Sequence, residues 1–195
     1  MSAAGVDQLR PLAQLFDYVL KRCRPESVAI LGIAGGNGLD QIDPATTKRI
    51  VGVDFVPDYL RQAQHRFGSL PGLTLICADL NERLPAISTV DLVHAALVFE
   101  HTGLDKALDN ALALVSPNGY FSVILQLPST EQPSVSPSSF SSMGPLKDLF
   151  TFIEPRNLQA TLALKGLCLI EERTQSLEAG KAFWLGIFKT NSPTK

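Results

Sequence analysis

An apolar run, Ser27-Val28-Ala29-Ile30-Leu31, leads directly into Gly32-Ile33-Ala34-Gly35-Gly36-Asn37-Gly38, and the next apolar run, Lys48-Arg49-Ile50-Val51-Gly52-Val53, ends on Asp54. A short continuous apolar run is what a parallel strand buried on both faces requires. Glycines at its end let the backbone turn tightly and approach a ligand that a Cβ would hold off. A carboxylate at the end of the second strand is placed to accept hydrogen bonds from ribose hydroxyls. Turn and acid together point to a nucleotide or adenosyl ligand, where a glycine turn alone is common to many loops.

The elements that must position these residues follow from periodicity. Leu9, Leu12, Ala13, Phe16, Val19 and Leu20 recur at helical spacing, so Val6 to Arg22 reads as an amphipathic helix ended near Pro25. Strands are expected at Ser27–Gly32, Lys48–Asp54, Leu73–Cys77, Val90–Ala95 and Gly119–Leu127, with helices at Pro57–Phe67 and Gly103–Val115 between them. Thr102 or Gly103 is the expected cap of the later helix, with Asp105 in its first turn. Such alternation gives an α/β, doubly wound, Rossmann-like sheet. After a helix at Pro155–Lys165, Cys168–Thr174 and Ala182–Lys189 are joined by a link too short for a crossover, so they form an antiparallel pair that closes a mostly parallel sheet. The Ser- and Pro-dense stretch Pro128–Pro145 breaks the pattern. It reads as a loop at the carboxyl edge of the sheet, where ligands bind in open α/β folds, with a disordered surface loop without a role as the equal alternative.

Composition bounds the function. The chain has 195 residues, 45% of them hydrophobic, which suits one domain with a sizeable core. Residues 1–25 are then a leading helix, and 128–154 an insertion near the site. A net charge of −2, from 17 basic and 19 acidic residues, offers no polyanion footprint, so nucleic acid is not the expected partner. The one basic cluster, Lys21-Arg22-Cys23-Arg24, fits a helix C-terminus. Cys23, Cys77 and Cys168 lie far apart without a CxxC pair, as expected of reduced thiols in a cytoplasmic protein. No apolar run is long enough to span a bilayer, and the first residues lack the pattern of a signal peptide, so no membrane association is expected. His65, His94 and His101 and the three cysteines form no short-range zinc pattern, and no metal is expected. His94 reads as a hydrogen-bonded near-core residue, His65 as helix surface, and Phe183, Trp184 and Phe188 as packing in the last strand.

In this order the motifs resemble those of the class I S-adenosylmethionine-dependent methyltransferases, over roughly Ser27 to Lys189. That family's first strand leads into an acid, any, Gly, any, Gly, any, Gly pattern. Here Gly32 stands in place of the acid and Ala34 in place of the first glycine. The resemblance implies S-adenosyl-L-methionine as cofactor, held by Gly32, Ala34, Gly36 and Gly38, with Asp54 on the ribose and Phe55 beside the adenine. Cys77-Ala78-Asp79-Leu80 is similar to the motif after strand three, with Asp79 at the adenine amino group and the Leu80 amide against the ring. Asp91 to His101 looks like the fourth strand and its following loop, which places Ala96 at the cofactor and Glu100 and His101 nearest the transferred methyl group as candidate bases. The alternative reading keeps Glu100 as a polar surface or packing residue and His101 as one that orients the loop or the following helix. The family's amino-methylating signature of Asn or Asp, Pro, Pro and an aromatic is absent from Ala95 to His101.

Pro44 restricts the segment after the glycine loop to a short helix at most. A nicotinamide-binding fold wants G-x-G-x-x-G, but counting from Gly32 gives Ala34 and Asn37 at the later positions, and from Gly36 gives Gly38 and Gln41. The function that follows is methyl transfer to a small-molecule acceptor by in-line displacement. Two alternatives stand beside it: a non-catalytic adenosyl-binding or partner-regulating protein on the same fold, favoured by Gly32 and the short helix, and, further off, an NAD-binding oxidoreductase. The acceptor atom and the oligomeric state are left open.

Overall fold

The computed structural model describes residues 8–128, 150–177 and 181–190. The expectations for the first residues, Val6 included, and for most of the Pro128–Pro145 loop, lie outside them. Helix α1 (Leu9–Cys23) precedes β1 (Ser27–Leu31), β2 (Arg49–Asp54), α2 (Pro57–Phe67), β3 (Leu73–Cys77), β4 (Val90–Ala96), α3 (Phe99–Thr102), α4 (Lys106–Ala113), β5 (Val115–Leu127), α5 (Pro155–Leu164), β6 (Leu167–Ser176) and β7 (Ala182–Thr190). The seven strands form one sheet in the order β3-β2-β1-β4-β5-β7-β6. All neighbours pair in parallel except at β7, which runs antiparallel to both β5 and β6.

Strand alternation assigns the two faces. Val28, Ile30, Leu92 and Ile124 pack with Leu15, Phe16 and Val19 of α1 and Leu60 of α2. Ala29, Leu31, Val93 and Val123 pack with Leu108 and Ala111 of α4 and Leu158 and Leu162 of α5. Phe183, Trp184 and Phe188 are buried along β7, and His65 is exposed on α2. Among the described residues, no helix is long and apolar enough to cross a membrane.

Three boundaries depart from expectation. The helix expected over Gly103–Val115 is shorter, α4 at Lys106–Ala113, and a separate short helix, α3, precedes it at Phe99–Thr102. Neither Thr102 nor Gly103 caps α4, which starts after Asp105 without a side-chain capping bond; the Thr102 hydroxyl instead donates back to the Val98 carbonyl at 3.3 Å. Strand β5 starts at Val115, which pairs with Val90 before the register shifts and Tyr120 pairs with Leu92.

The connection from β1 to β2 matters most for the site. It holds only a single 3-10 turn, Leu39–Gln41, in place of a crossover helix. Pro44 follows closely, as its geometry requires. The face of β1 and β4 therefore lies under α1, whose Phe16 ring stacks on the His94 imidazole with ring centres 4.4 Å apart. Helix α1 is fastened to the far edge of the sheet through Glu171 of β6, which accepts hydrogen bonds from the Tyr18 hydroxyl and, at 2.9 Å, from Arg22 Nε.

Candidate cofactor and acceptor site

A cavity of about 520 Å³ opens between α1 and the carboxyl ends of β1 and β4. Gly32, Gly36, Asn37 and Gly38 of the loop form one wall, Leu9, Leu12, Ala13 and Phe16 of α1 another, and Ile30, Leu31, His94 and Ala96 the floor. Arg10, Gln14, Asp40, Gln41 and Arg66 supply polar groups around it. Arg66 also donates from Nη1 to the Gly35 carbonyl at 2.7 Å, tying the loop to α2.

The loop is held largely by its own amides. Gly32 and Ile33 donate to the Val53 carbonyl at 2.8 and 3.2 Å, and Gly36 and Asn37 donate to the Ile33 carbonyl at 3.1 and 3.0 Å. Ala34 donates to Asp54 Oδ2 at 2.8 Å, while Val56 donates to Oδ1 at 2.9 Å. Asp54 thus fastens the glycine loop to β2 and keeps a second lone pair on each oxygen, although neither Asp54 nor Ala34 lines the cavity. Among the described residues the loop amides left over are those of Gly35 and Gly38. Gly38 has φ +83°, and a Cβ there would meet Phe16 Cδ1 at 2.8 Å, so a side chain is excluded by conformation and by the α1 wall.

Gly32 in place of an acid has a local physical reason. Its φ is +65°, and a Cβ would lie 2.7 Å from Val98 Cγ2. Ala34 also takes a left-handed conformation, at φ +49°, stabilised by its bond to Asp54. A Gly32→Asp substitution is expected to destabilise the fold by about 2–4 kcal/mol, the sum of left-handed strain and overpacking. It is expected to leave S-adenosylhomocysteine binding no tighter. Urea unfolding with calorimetric titration checks both, and tighter binding at unchanged stability would contradict the clash with Val98.

The other expected site residues fall into two groups. Phe55, Asp79 and Leu80 follow the ends of β2 and β3, adjacent to Asp54 but outside the cavity lining; the Ala78 amide donates to the Asp54 carbonyl at 3.0 Å. Phe55 is 55% exposed and Leu80 is buried. Asp79 is exposed, and its Oδ1 accepts the Asn81 amide at 2.8 Å. Glu100 and His101 sit on α3, also outside the cavity lining.

Glu100 is 1% exposed, and its Oε1 accepts the Gln126 amide at 2.8 Å, while its backbone carbonyl accepts the Thr151 amide at 2.8 Å. It therefore ties α3 to β5 at Gln126 and to the chain at Thr151. Burial pushes its carboxyl up to about 7, against the lowering effect of its backbone hydrogen bonds, and Oε2 has no hydrogen-bond partner among the described residues. The half-buried His101 ring packs edge-on against Phe150, with ring centres 5.3 Å apart.

His94 is the residue whose place the sequence reading left incomplete. Its Nδ1 is hydrogen-bonded to the Ser122 hydroxyl at 2.7 Å, as a near-core histidine should be, yet the same ring lines the cavity. The available signal is its spacing: His94 lies two residues before Ala96 and so shares its face of the strand.

Residues 30–121 match a protein family described as a methyltransferase domain. No curated protein matches the chain. Among solved structures, the fold is similar to the N-methyltransferase NodS from Bradyrhizobium japonicum WM9 in complex with S-adenosyl-l-homocysteine. That match has a TM-score of 0.70 and 17% identity, and covers 94% of this chain and 87% of that one. It is also similar to the Burkholderia thailandensis 1,6-didemethyltoxoflavin-N1-methyltransferase, with TM-score 0.69, 17% identity and coverage of 94% and 78%. The [4+2]-cyclase SpnF shares the fold as well, with TM-score 0.71, 11% identity and coverage of 94% and 83%.

Proposed function

We propose, from the match of residues 30–121 to a methyltransferase domain and from the fold, that this chain is a class I S-adenosylmethionine-dependent methyltransferase, an enzyme that methylates a small-molecule acceptor seated beneath α1. The observation that carries the reading is the glycine loop, which lines a cavity large enough for a ligand and is tied through Ala34 to the buried Asp54 behind it. NodS and the toxoflavin enzyme, crystallised with the demethylated cofactor, support it.

The residues present fit the cofactor. Gly38 leaves a cradle that a Cβ would fill, and Asp54 retains acceptor capacity on both oxygens for a ribose. Phe55 and Asp79 extend that side toward an adenine, with the Leu80 amide beside them. S-adenosylmethionine, when bound, supplies an activated methyl group on sulfur. The chain's contribution is then to align an acceptor atom in line with that methyl group and exclude water from the approach. Leu9, Leu12 and Phe16 of α1 provide the apolar cover.

An acceptor that must lose a proton needs a base within hydrogen-bond reach. We assign this role to His101, on α3 outside the cavity lining, and give Glu100 a positioning role through Gln126 and Thr151. His101 is placed for the role only if the acceptor extends beyond the cavity toward Phe150.

SpnF favours keeping a second reading, because it is a [4+2]-cyclase on the same fold. In that reading the chain binds an adenosyl ligand without transferring its methyl group. Calorimetric titration of the ligand-free protein with S-adenosylhomocysteine, with NAD in parallel, is the first test. Saturable binding of S-adenosylhomocysteine alone is the expected result and justifies an acceptor screen. Binding of neither would overturn the methyltransferase reading, and binding of NAD alone would transfer the site to a nicotinamide cofactor.

A further inference from the structure

The floor of the cavity carries one buried polar side chain. Around His94 the lining is apolar: Ile30 and Leu31 from β1, Ala96 from β4, and Phe16 from above. A histidine in such a place costs desolvation unless its nitrogens find partners. Nδ1 has one in Ser122, which sits directly across from it in the β4–β5 register. Ser122 is itself fully buried, so this bond fixes the ring plane from behind. Phe16 fixes it from above by stacking. A ring locked on two sides presents its second nitrogen, Nε2, in a set direction. Burial also lowers the imidazole pKa to about 3, so the ring is neutral at physiological pH.

The reason the ring borders a cavity lies in the chain's connectivity. With only the Leu39–Gln41 turn between β1 and β2, this part of the sheet has no crossover helix against it. The space beneath α1 reaches past the strand ends, down to a residue two positions inside β4.

We propose that His94 is the specificity-determining residue for the methyl acceptor, exchanging a hydrogen bond through Nε2 with a neutral O–H or N–H group on the buried, otherwise apolar end of that molecule. This rests on the reading that the cavity takes the acceptor. It assigns a substrate class: an apolar body with one neutral hydrogen-bonding group, as opposed to an anion or a cation at the floor. A wrong ligand without that group would leave Nε2 unpaired in an apolar site, which is how a buried polar residue rejects analogues.

The test uses the full chain with 15N-labelled histidine, saturated with S-adenosylhomocysteine and titrated with phenol, aniline and toluene, three arenes of similar size. The His94 signals are assigned by their absence from His94→Gln. Phenol or aniline is expected to move the Nε2 resonance saturably and to bind at least about tenfold more tightly than toluene. In His94→Phe that preference is expected to vanish, with S-adenosylhomocysteine affinity within about threefold of the parent. If the phenylalanine variant does not fold, the titration of the parent stands alone, and His94→Gln is expected to keep part of the preference. Equal binding of all three arenes, or no shift of Nε2 by any, overturns the proposal. So does an Nε2 shift by S-adenosylhomocysteine alone with displacement of it by phenol, since the floor would then belong to the cofactor. Failure of S-adenosylhomocysteine to bind at all is a separate result, and it bears on the methyltransferase reading itself.

Discussion

Replacing Asp54 by alanine is expected to lower affinity for S-adenosylhomocysteine by at least about a hundredfold and to remove methyl transfer with it. Two contributions add. The first is the loss of hydrogen bonds to a charged acceptor, each worth about 1.5–3 kcal/mol, so that two ribose hydroxyls account for a factor of about a hundred or more. The second is structural. Asp54 is 7% exposed and accepts the amides of Ala34 and Val56, so alanine would strand two backbone donors and release the glycine loop from β2. Each stranded donor costs about 1–3 kcal/mol. Asp54→Asn separates the effects: its single carbonyl oxygen can serve one of the two amides, so it is expected to fold more stably than the alanine variant while still binding poorly. Calorimetry with urea unfolding on the three proteins checks this. An alanine variant that keeps affinity within about threefold of the parent would remove Asp54 from the ligand site. If the chain serves as an interaction platform, the parent lacks activity and Asp54→Ala leaves partner binding intact.

How far the sequence discloses the molecule depends on whether the decisive contact is local. Helix α2 occupies the expected Pro57–Phe67 because Pro57 presets its first turn and the chain reaches Gly68 immediately after it. The parallel strands are visible as apolar runs because both of their faces are covered. Val115 was not visible as the start of β5, because Ser116-Pro117-Asn118-Gly119 carries turn chemistry and its pairing with Val90 is a tertiary fact. The cap at Thr102 failed for a similar reason: its hydroxyl was already satisfied within α3.

In the site, the glycine loop and Asp54 could be read separately, but their mutual hydrogen bond could not. Gly32 looked like a defect in a family pattern, and only the position of Val98 supplies its steric reason. His94 was legible as a buried histidine. That its ring borders a ligand cavity depends on a helix that is missing between β1 and β2, for which Pro44 was the one local sign.

Glu100 should make the protein less stable as pH rises through neutrality, and Glu100→Gln should flatten that dependence. The carboxyl is raised from 4.5 to about 7 in the folded protein by burial. Between these values the folded state holds a proton that the unfolded chain has lost. The contribution from this group is therefore fully present below about pH 4.5 and is lost as pH rises through 7. A shift of this size corresponds to about 3 kcal/mol between the limits. Glutamine keeps an oxygen for the Gln126 amide and cannot ionise, although its new N–H groups meet the position where Oε2 had no partner. The stability difference between parent and variant, followed by urea unfolding from pH 5 to pH 8.5, should shift in favour of the variant by about 2–3 kcal/mol over that range. Parallel profiles would show that Glu100 does not bind a proton in this window. Activity distinguishes its role. If Glu100 positions α3 against β5 and Thr151, the glutamine variant retains most of its turnover at pH 7. If it removes a proton from the acceptor, turnover falls by about a hundredfold or more while S-adenosylhomocysteine binding is unchanged.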